Sequence, residues 1–425
     1  MTTALRGLLT ATLMLLVSLP AAAQETALLA AAPRDGGWKG RWDGHPEIDW
    51  GGRLHVEIHG RLQTDGSASE VPLARGEGDG WDLGRRRIGV EGTAGRHVEF
   101  QVEAEIASTD PWRDVWVNYR PLRAVQIQAG QFKLPFGLEE TTSGRSLDFI
   151  HRSLASTHLA PGRDRGLMLH GRLRKGMFGY EAGAFTHDGD NARPNSNRRV
   201  WGGATYAGRV IVEPFAGSKS GWADLQLGLA YARTALPKGF PSIRGRSVLG
   251  LPFFDSDLWV AGGRRRTGLQ ARWRPGPFSF AFEVIRVADD RRGQSQRGTD
   301  LAPFRARGWY VSGAWVVAGA RRTTGVARPR HPLFQGGFGS IQLAMRLERF
   351  SLGRAPGTGA ASTSPRAESV LGNGETAMTF GATWHPNRWV AIHGNFIREA
   401  IGEAGRTPHP SLRSWSRLVQ FQVGI

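Results

Sequence analysis

From Arg53 the chain alternates residue by residue: Leu54, Val56, Ile58 and Leu62 interleave with Arg53, His55, Glu57, His59, Arg61 and Gln63. A strict period of two marks a strand whose two faces meet different surroundings. Arg85 to Ala94 sets Ile88, Val90, Gly92 and Ala94 against Arg85, Arg87, Glu91 and Thr93, and Gly95-Arg96 then turns the chain. His97 to Ile106 returns with Val98, Phe100, Val102, Ala104 and Ile106 opposite His97, Glu99, Gln101, Glu103 and Glu105. The pattern lasts to the final residues, where Val419, Phe421, Val423 and Ile425 alternate with Gln420, Gln422 and Gly424.

Twelve further segments read as strands: Arg113 to Arg120, Ala124 to Lys133, Leu167 to Arg174, Met177 to Thr186, Arg199 to Glu213, Trp222 to Ala232, Thr267 to Arg274, Phe278 to Val287, Gly308 to Val317, Gly339 to Phe350, Thr376 to Trp384 and Arg388 to Arg398. With Arg413 to Ile425 the total is sixteen. About ten residues is what a tilted strand needs to cross a bilayer. The expected fold is therefore all-β, a transmembrane antiparallel β-barrel of about 16 strands.

An even strand number puts both ends of the chain on one side, with short turns there and long loops on the other. Pro121 to Arg123, Lys175-Gly176, Pro275 to Pro277 and His385 to Asn387 are short, whereas Thr64 to Trp81, Leu134 to Gly166, Arg233 to Arg266 and Ser351 to Glu375 are long and polar. Ala318 to Phe338 breaks the rule, being long where a short turn is expected. Trp112, Trp116, Tyr119, Trp309, Tyr310, Trp384 and Trp415 fall near strand ends, as interfacial aromatics do.

The first residues change the picture by adding export. Arg6, an apolar run from Gly7 to Leu19, then Pro20 and Ala21-Ala22-Ala23 have the form of a cleaved secretory signal. The expected organisation is a signal peptide over 1–23, an N-terminal periplasmic segment over 24–52 and the barrel over 53–425. No later run reaches the twenty apolar residues of a membrane helix. The chain has no cysteine, so disulfides contribute nothing to its stability.

Net charge is +18, and fifty of the fifty-five basic residues are arginine. Such a charge suits an anionic partner, and export with alternating strands argues against nucleic acid. Guanidinium forks hold oxyanions bidentately, which points the chemistry towards anions.

Two motifs narrow this further: GQFKLPFGLEE at Gly130 to Glu140 and RSLASTHLAPGRDRG at Arg152 to Gly166. With Arg87-Ile88-Gly89-Val90-Glu91-Gly92, Gly308-Trp309-Tyr310-Val311 and Ile341-Gln342-Leu343-Ala344-Met345-Arg346, the chain resembles the phosphate-selective porin O and P family over nearly all its length from Arg53. The resemblance implies a sixteen-stranded trimeric outer-membrane channel of a Gram-negative bacterium, set in outer-membrane lipid and lipopolysaccharide. It also implies that a long third loop, here Leu134 to Gly166, folds into the lumen and that basic residues there coordinate a passing anion.

On that reading Lys133, Arg145, Arg152, Arg163 and Arg165 line the constriction, and alternation turns Arg85, Arg87, Arg172, Arg174, Arg272, Arg274 and Arg346 to the lumen. Glu99, Glu103, Glu105, Glu139 and Glu140 are placed to neutralise part of them. Arg86 falls on the lipid face and is expected near a strand end, where an arginine costs about 0–1 kcal/mol instead of roughly 2–4 at the midplane.

The expected function is passive diffusion of anions, with phosphate or phosphorylated solutes as cargo. Five lysines are few for the lysine clusters that phosphate-specific members carry. The alternatives are a general diffusion porin without a binding site, and an outer-membrane enzyme or surface-binding barrel. No Gly-x-Ser-x-Gly elbow occurs, and no cofactor or metal is expected. Asp188-Gly189-Asp190-Asn191 lacks the full calcium-loop spacing and reads as a polar turn.

Overall fold

The computed structural model describes residues 37–70, 80–106, 108–191, 202–254, 258–319, 329–333, 335–353, 364–370, 372–402 and 412–425. The signal peptide lies outside the described residues. No helix among them is long and apolar enough to cross a membrane.

Two strands precede the barrel, β1 (Trp38–Trp42) and β2 (Pro46–Trp50). The wall comprises β3 (Leu54–Ser69), β4 (Gly80–Ala94), β5 (Val98–Glu105), β6 (Trp112–Leu122), β7 (Val125–Lys133), β8 (Arg163–Leu173), β9 (Phe178–Phe185), β10 (Thr205–Val212), β11 (Gln226–Pro241), β14 (Trp259–Trp273), β15 (Phe278–Arg291), β16 (Leu301–Ala318), β17 (Ser340–Leu352), β18 (Asn373–His385), β19 (Val390–Ile401) and β20 (Leu412–Gly424). A small separate ribbon, β12 (Gly245–Arg246) with β13 (Pro252–Phe254), lies between β11 and β14. Each wall strand pairs antiparallel with the next, and β20 pairs with β3 from Ser416↔Ser69 to Gly424↔Arg61. The sheet is thus a closed sixteen-stranded barrel with no free edge in the wall.

Each of the sixteen expected strands has its counterpart, but several run further towards the long loops. Parts of Thr64 to Trp81 and Arg233 to Arg266, expected as loops, belong to β3, β4, β11 and β14. Ladder hydrogen bonds continue there, while the two-sided contrast that makes alternation readable fades beyond the bilayer. Arg86 accordingly sits in the middle of β4 instead of near its end.

Within the 24–52 segment the β1–β2 hairpin was not expected. β2 pairs with β3 at Glu47↔Glu57 through Trp50↔Leu54, on the edge that β20 uses further along. Trp38 stacks on Trp50 at 5.3 Å, and Trp389 Nε1 donates to Gly44 O at 2.8 Å. The connection after β16 is long, as its sequence suggests; Phe338 from it stacks on Trp384 at 5.4 Å.

Exposure follows the alternation. On β17 Leu343, Met345 and Leu347 are exposed, whereas Gln342, Ala344, Arg346 and Glu348 are buried. Towards the loops that inner row turns apolar at Phe350 and Leu352, where Phe253 and Leu159 join a packed cluster.

Between β7 and β8 lie two short helices, α1 (Leu138–Thr141) and α2 (Leu154–Leu159), the second capped by Ser153. This segment is anchored to inward side chains of distant strands. Glu283 of β15 accepts from Leu138 N at 2.9 Å, Glu348 of β17 from Leu154 N at 2.6 Å, and Asn395 of β19 from Ile150 N at 2.9 Å.

The Asp188 to Asn191 turn fastens the same segment. Asp188 accepts from Arg264 at 3.2 Å, Asp190 from Arg163 N at 2.6 Å, and Asn191 donates to Glu140 at 3.2 Å. Gly189 has φ +85°, and a Cβ there would stand 1.7 Å from Pro161 O. Gly189→Ala is therefore expected to destabilise the fold by more than about 1 kcal/mol, read as a lower heat-unfolding transition on semi-native gels.

Candidate functional site: an arginine-lined cavity

A cavity of about 1210 Å³ opens beside β3 to β8, bounded by their inward residues and by the β7–β8 segment. The register builds its cationic wall: Arg61 of β3 stands opposite Arg87 of β4, and Gln63 opposite Arg85. Arg87 is neutralised, donating to Glu103 at 2.8 Å and Glu105 at 2.9 Å. Arg61 and Arg85 have no such carboxylate among the described residues, and two nitrogens of Arg61 lack any hydrogen-bond partner.

Both guanidiniums point at Gly144 of the β7–β8 segment. A Cβ at Gly144 would lie 2.7 Å from Arg85 Nη1 and 3.0 Å from Arg61 Nη1, so the two cations are within reach of one oxyanion. Glycine leaves room for that approach. Asp65, Glu103 and Glu105 line the same cavity as more distant counter-charges, and two like charges held this close oppose each other.

The remaining expected residues divide by what they touch. Arg145 lines the cavity while its Nη2 donates to Gly60 O at 3.1 Å and Ile425 O at 3.2 Å, across the β20–β3 seam. Burial pulls its guanidinium below the usual arginine range, against the pull of Glu103 and Glu91. Arg152 donates to Glu139 O and to Thr142 O, the latter at 2.9 Å, and lies 3.6 Å from Glu140. Lys133 Nζ donates to Glu140 O and, at 3.1 Å, to Thr142 O, so this lysine chiefly ties down the base of the segment. Arg163 is held by both oxygens of Asp114, the shortest contact 2.7 Å.

Arg165 is not in the cavity. β8 starts at Arg163, and with Met168 turned inward the alternation sends Arg165 outward, exposed on the face of Leu169. Arg346 is inward but wholly buried: it donates to Glu348 at 3.0 Å and Glu139 at 3.1 Å and stacks on Phe149 at 4.6 Å. The β7–β8 segment covers it, so no water path reaches it. Arg174 belongs to the β8–β9 turn and lies over Phe178 at 5.6 Å.

Arg172, Arg272 and Arg274 line a second cavity of about 390 Å³. Arg209 borders both, gripping Glu181 at 2.9 and 3.0 Å and Thr141 at 2.7 Å. Arg61 and Arg209 were not singled out in the sequence. Alternation places Arg61 inward, yet its position opposite Arg87 and under Gly144 depends on strand register and on a distant loop.

His151 and His158 are largely enclosed in the segment, and loss of water around them pushes both imidazoles below the usual histidine range, with Arg346 adding to this at His151. Both stay neutral when folded at a pH where an unfolded histidine binds a proton. Their contribution to stability is therefore full above about pH 6.5 and is lost as pH falls below it. The heat-unfolding transition is expected to drop between about pH 7.5 and pH 5, and His158→Gln to flatten the drop; a transition that rises on acidification contradicts this.

A family model described as phosphate-selective porin O and P matches residues 56–231 and 253–420. The chain belongs to that family. Over 429 residues this porin is 24% identical to an uncharacterized protein of Caulobacter vibrioides, covering 93% of its own length and 76% of the other. Solved structures share its fold at low identity. An anion-selective porin from Comamonas acidovorans matches with TM-score 0.53 at 13% identity, covering 88% of this porin and 100% of that chain. OmpT, an outer membrane protein of Vibrio cholerae, matches with TM-score 0.55 at 11% identity, over 88% and 98%.

Proposed function

We propose that this outer-membrane porin is a passive, anion-preferring channel, with phosphate or phosphorylated solutes as cargo. The observation that carries the reading is the Arg61–Arg85 pair facing Gly144 in the larger cavity, with no carboxylate hydrogen-bonded to either guanidinium among the described residues. The β7–β8 segment narrows the lumen as the family's third loop does, its anchors on Glu283, Glu348 and Asn395 holding it across the barrel. An anion leaves part of its water at Arg61 and Arg85 and moves on past Arg209 to Arg172, Arg272 and Arg274. Several moderate sites in series let it leave as readily as it arrives.

The Comamonas anion-selective porin supports the charge preference, and a trimer form of the Vibrio protein supports a homotrimer. Family and fold favour a channel over an enzyme. The expected result is that millimolar phosphate reduces the chloride current through single channels in planar bilayers, and that Arg61→Gln with Arg85→Gln weakens the block at least about tenfold. Undiminished chloride current in phosphate points to the alternative, a general diffusion pore without a binding site.

A further inference from the structure

Many arginines lie outside the barrel. On β11 and β14, Arg233 and Arg265 are direct cross-strand partners, and on β15 and β16 so are Arg286 and Arg307; all four are exposed. The row continues with exposed Arg349 on β17, opposite Trp309, and with Arg398 and Arg417 over the rings of Trp415 and Phe396. They share the outward face with Leu229, Leu269, Phe282, Val311 and Leu347. Among these arginines only Arg265 has a carboxylate partner in the described residues, Asp290 at 2.9 Å.

The contrast with the inward arginines is sharp. Arg264 is buried between Asp289 at 2.6 Å and Asp188 at 3.2 Å. Like charges placed directly opposite on a sheet repel, so the outward pairs call for polyvalent counter-charge from outside the chain. The outward rows of β3 to β10 show no directly opposed arginine pair among the described residues.

Depth fixes the kind of partner. At the short-turn end, Trp273, Phe280, Phe278 and Trp315 form a stacked outward ladder, the aromatic border of the apolar band. The eight-residue step from Trp315 to Arg307 spans about 26 Å along the strand and about 20 Å along the membrane normal at a tilt near 40°. An apolar band is about 25 Å tall, so the arginines stand at its long-loop border, at the headgroup level of the outer leaflet.

We infer that the outward arginine row of β11 to β20 is a docking surface for the phosphorylated glycolipid of the outer leaflet, its phosphates bridging the Arg233–Arg265 and Arg286–Arg307 pairs while its acyl chains lie on the apolar rows below. This rests on the outer-membrane reading and is independent of what the lumen carries. The surface accounts for arginine in excess of any lumen need.

The test uses the full-length folded protein in detergent, with bis-phosphorylated lipid A and its dephosphorylated form as probes, read by native mass spectrometry. The wild type is expected to retain phosphorylated lipid A at least about tenfold more tightly than the dephosphorylated form. Arg286→Gln with Arg307→Gln and Arg349→Gln should lose that margin, the corresponding lysine variant should keep most of it, and Arg61→Gln with Arg85→Gln should bind as wild type. Equal binding of the two lipids by wild type, or undiminished binding by a folded glutamine variant, overturns the proposal. If the glutamine variant fails to fold, the two-lipid comparison on wild type decides. The reversal potential of the folded glutamine variant is expected to match wild type, so a failure of the channel reading shows separately.

Discussion

Replacing Arg61 and Arg85 together by glutamate is expected to move the channel from anion towards cation preference. Both guanidinium groups converge on Gly144 with no carboxylate hydrogen-bonded to them among the described residues, whereas neighbouring Arg87 is already held by Glu103 and Glu105. Reversing two unit charges about 6 Å from a passing ion changes its energy by about 3 kcal/mol even at the dielectric constant of water. Unscreened, that is roughly a hundredfold change in the permeability of each ion, a loss for the anion and a gain for the cation, and screening at about 0.1 M salt lowers each to about tenfold. Reversal potentials under a salt gradient read the ratio directly. An unchanged ratio in a folded double variant means that ions pass elsewhere.

Arg346→Ala is expected to have the largest effect on stability. Arg346 is wholly buried and compensates Glu348 and Glu139 at 3.0 and 3.1 Å. Removing one member of a buried ionic set leaves the others uncompensated, a loss of about 3–5 kcal/mol. Denaturant unfolding of the barrel should shift by that amount. Because Glu139 belongs to the β7–β8 segment, open-channel noise should also increase as its tether to β17 is lost. Replacing Arg346, Glu139 and Glu348 together by apolar residues of similar volume should restore much of the stability; if the single and triple variants are equally unstable, charge compensation is not the cause.

The barrel was legible because period two is a local signal: Val419, Phe421, Val423 and Ile425 declare their faces without knowledge of any partner strand. What lies beyond the bilayer was not. Thr64 to Ser69 hydrogen-bond in the ladder with Asp65, Gly66 and Ser67 among them, and their wet surroundings leave no alternation to read. The β1–β2 hairpin is five residues a side, too short for a period to stand out.

Legibility of the cavity followed the same division. Arg85 and Arg87 could be placed inward from their own strand, and the neutralising role of Glu103, Glu105, Glu139 and Glu140 could be anticipated from their spacing. Arg61 acquires its importance only through register with β4 and the approach of Gly144 from a loop 83 positions on. Lys133 and Arg346 looked free in the sequence because backbone carbonyls and a covering segment leave no trace at their positions. Arg165 read as a loop residue because the hydrophobic pattern begins at Leu167; β8 starts four residues earlier, and its alternation turns Arg165 outward. Net charge carries no position, and part of it stands on the outward face at Arg233, Arg265, Arg286 and Arg307.

The most direct measurement is the zero-current potential of the wild-type channel in a planar bilayer with an about tenfold potassium chloride gradient. Chloride entering the Arg61–Arg85 cavity more readily than potassium sets the more dilute side negative, and that sign is the expected result. A potential of the opposite sign, marking a cation-selective pore, contradicts the account.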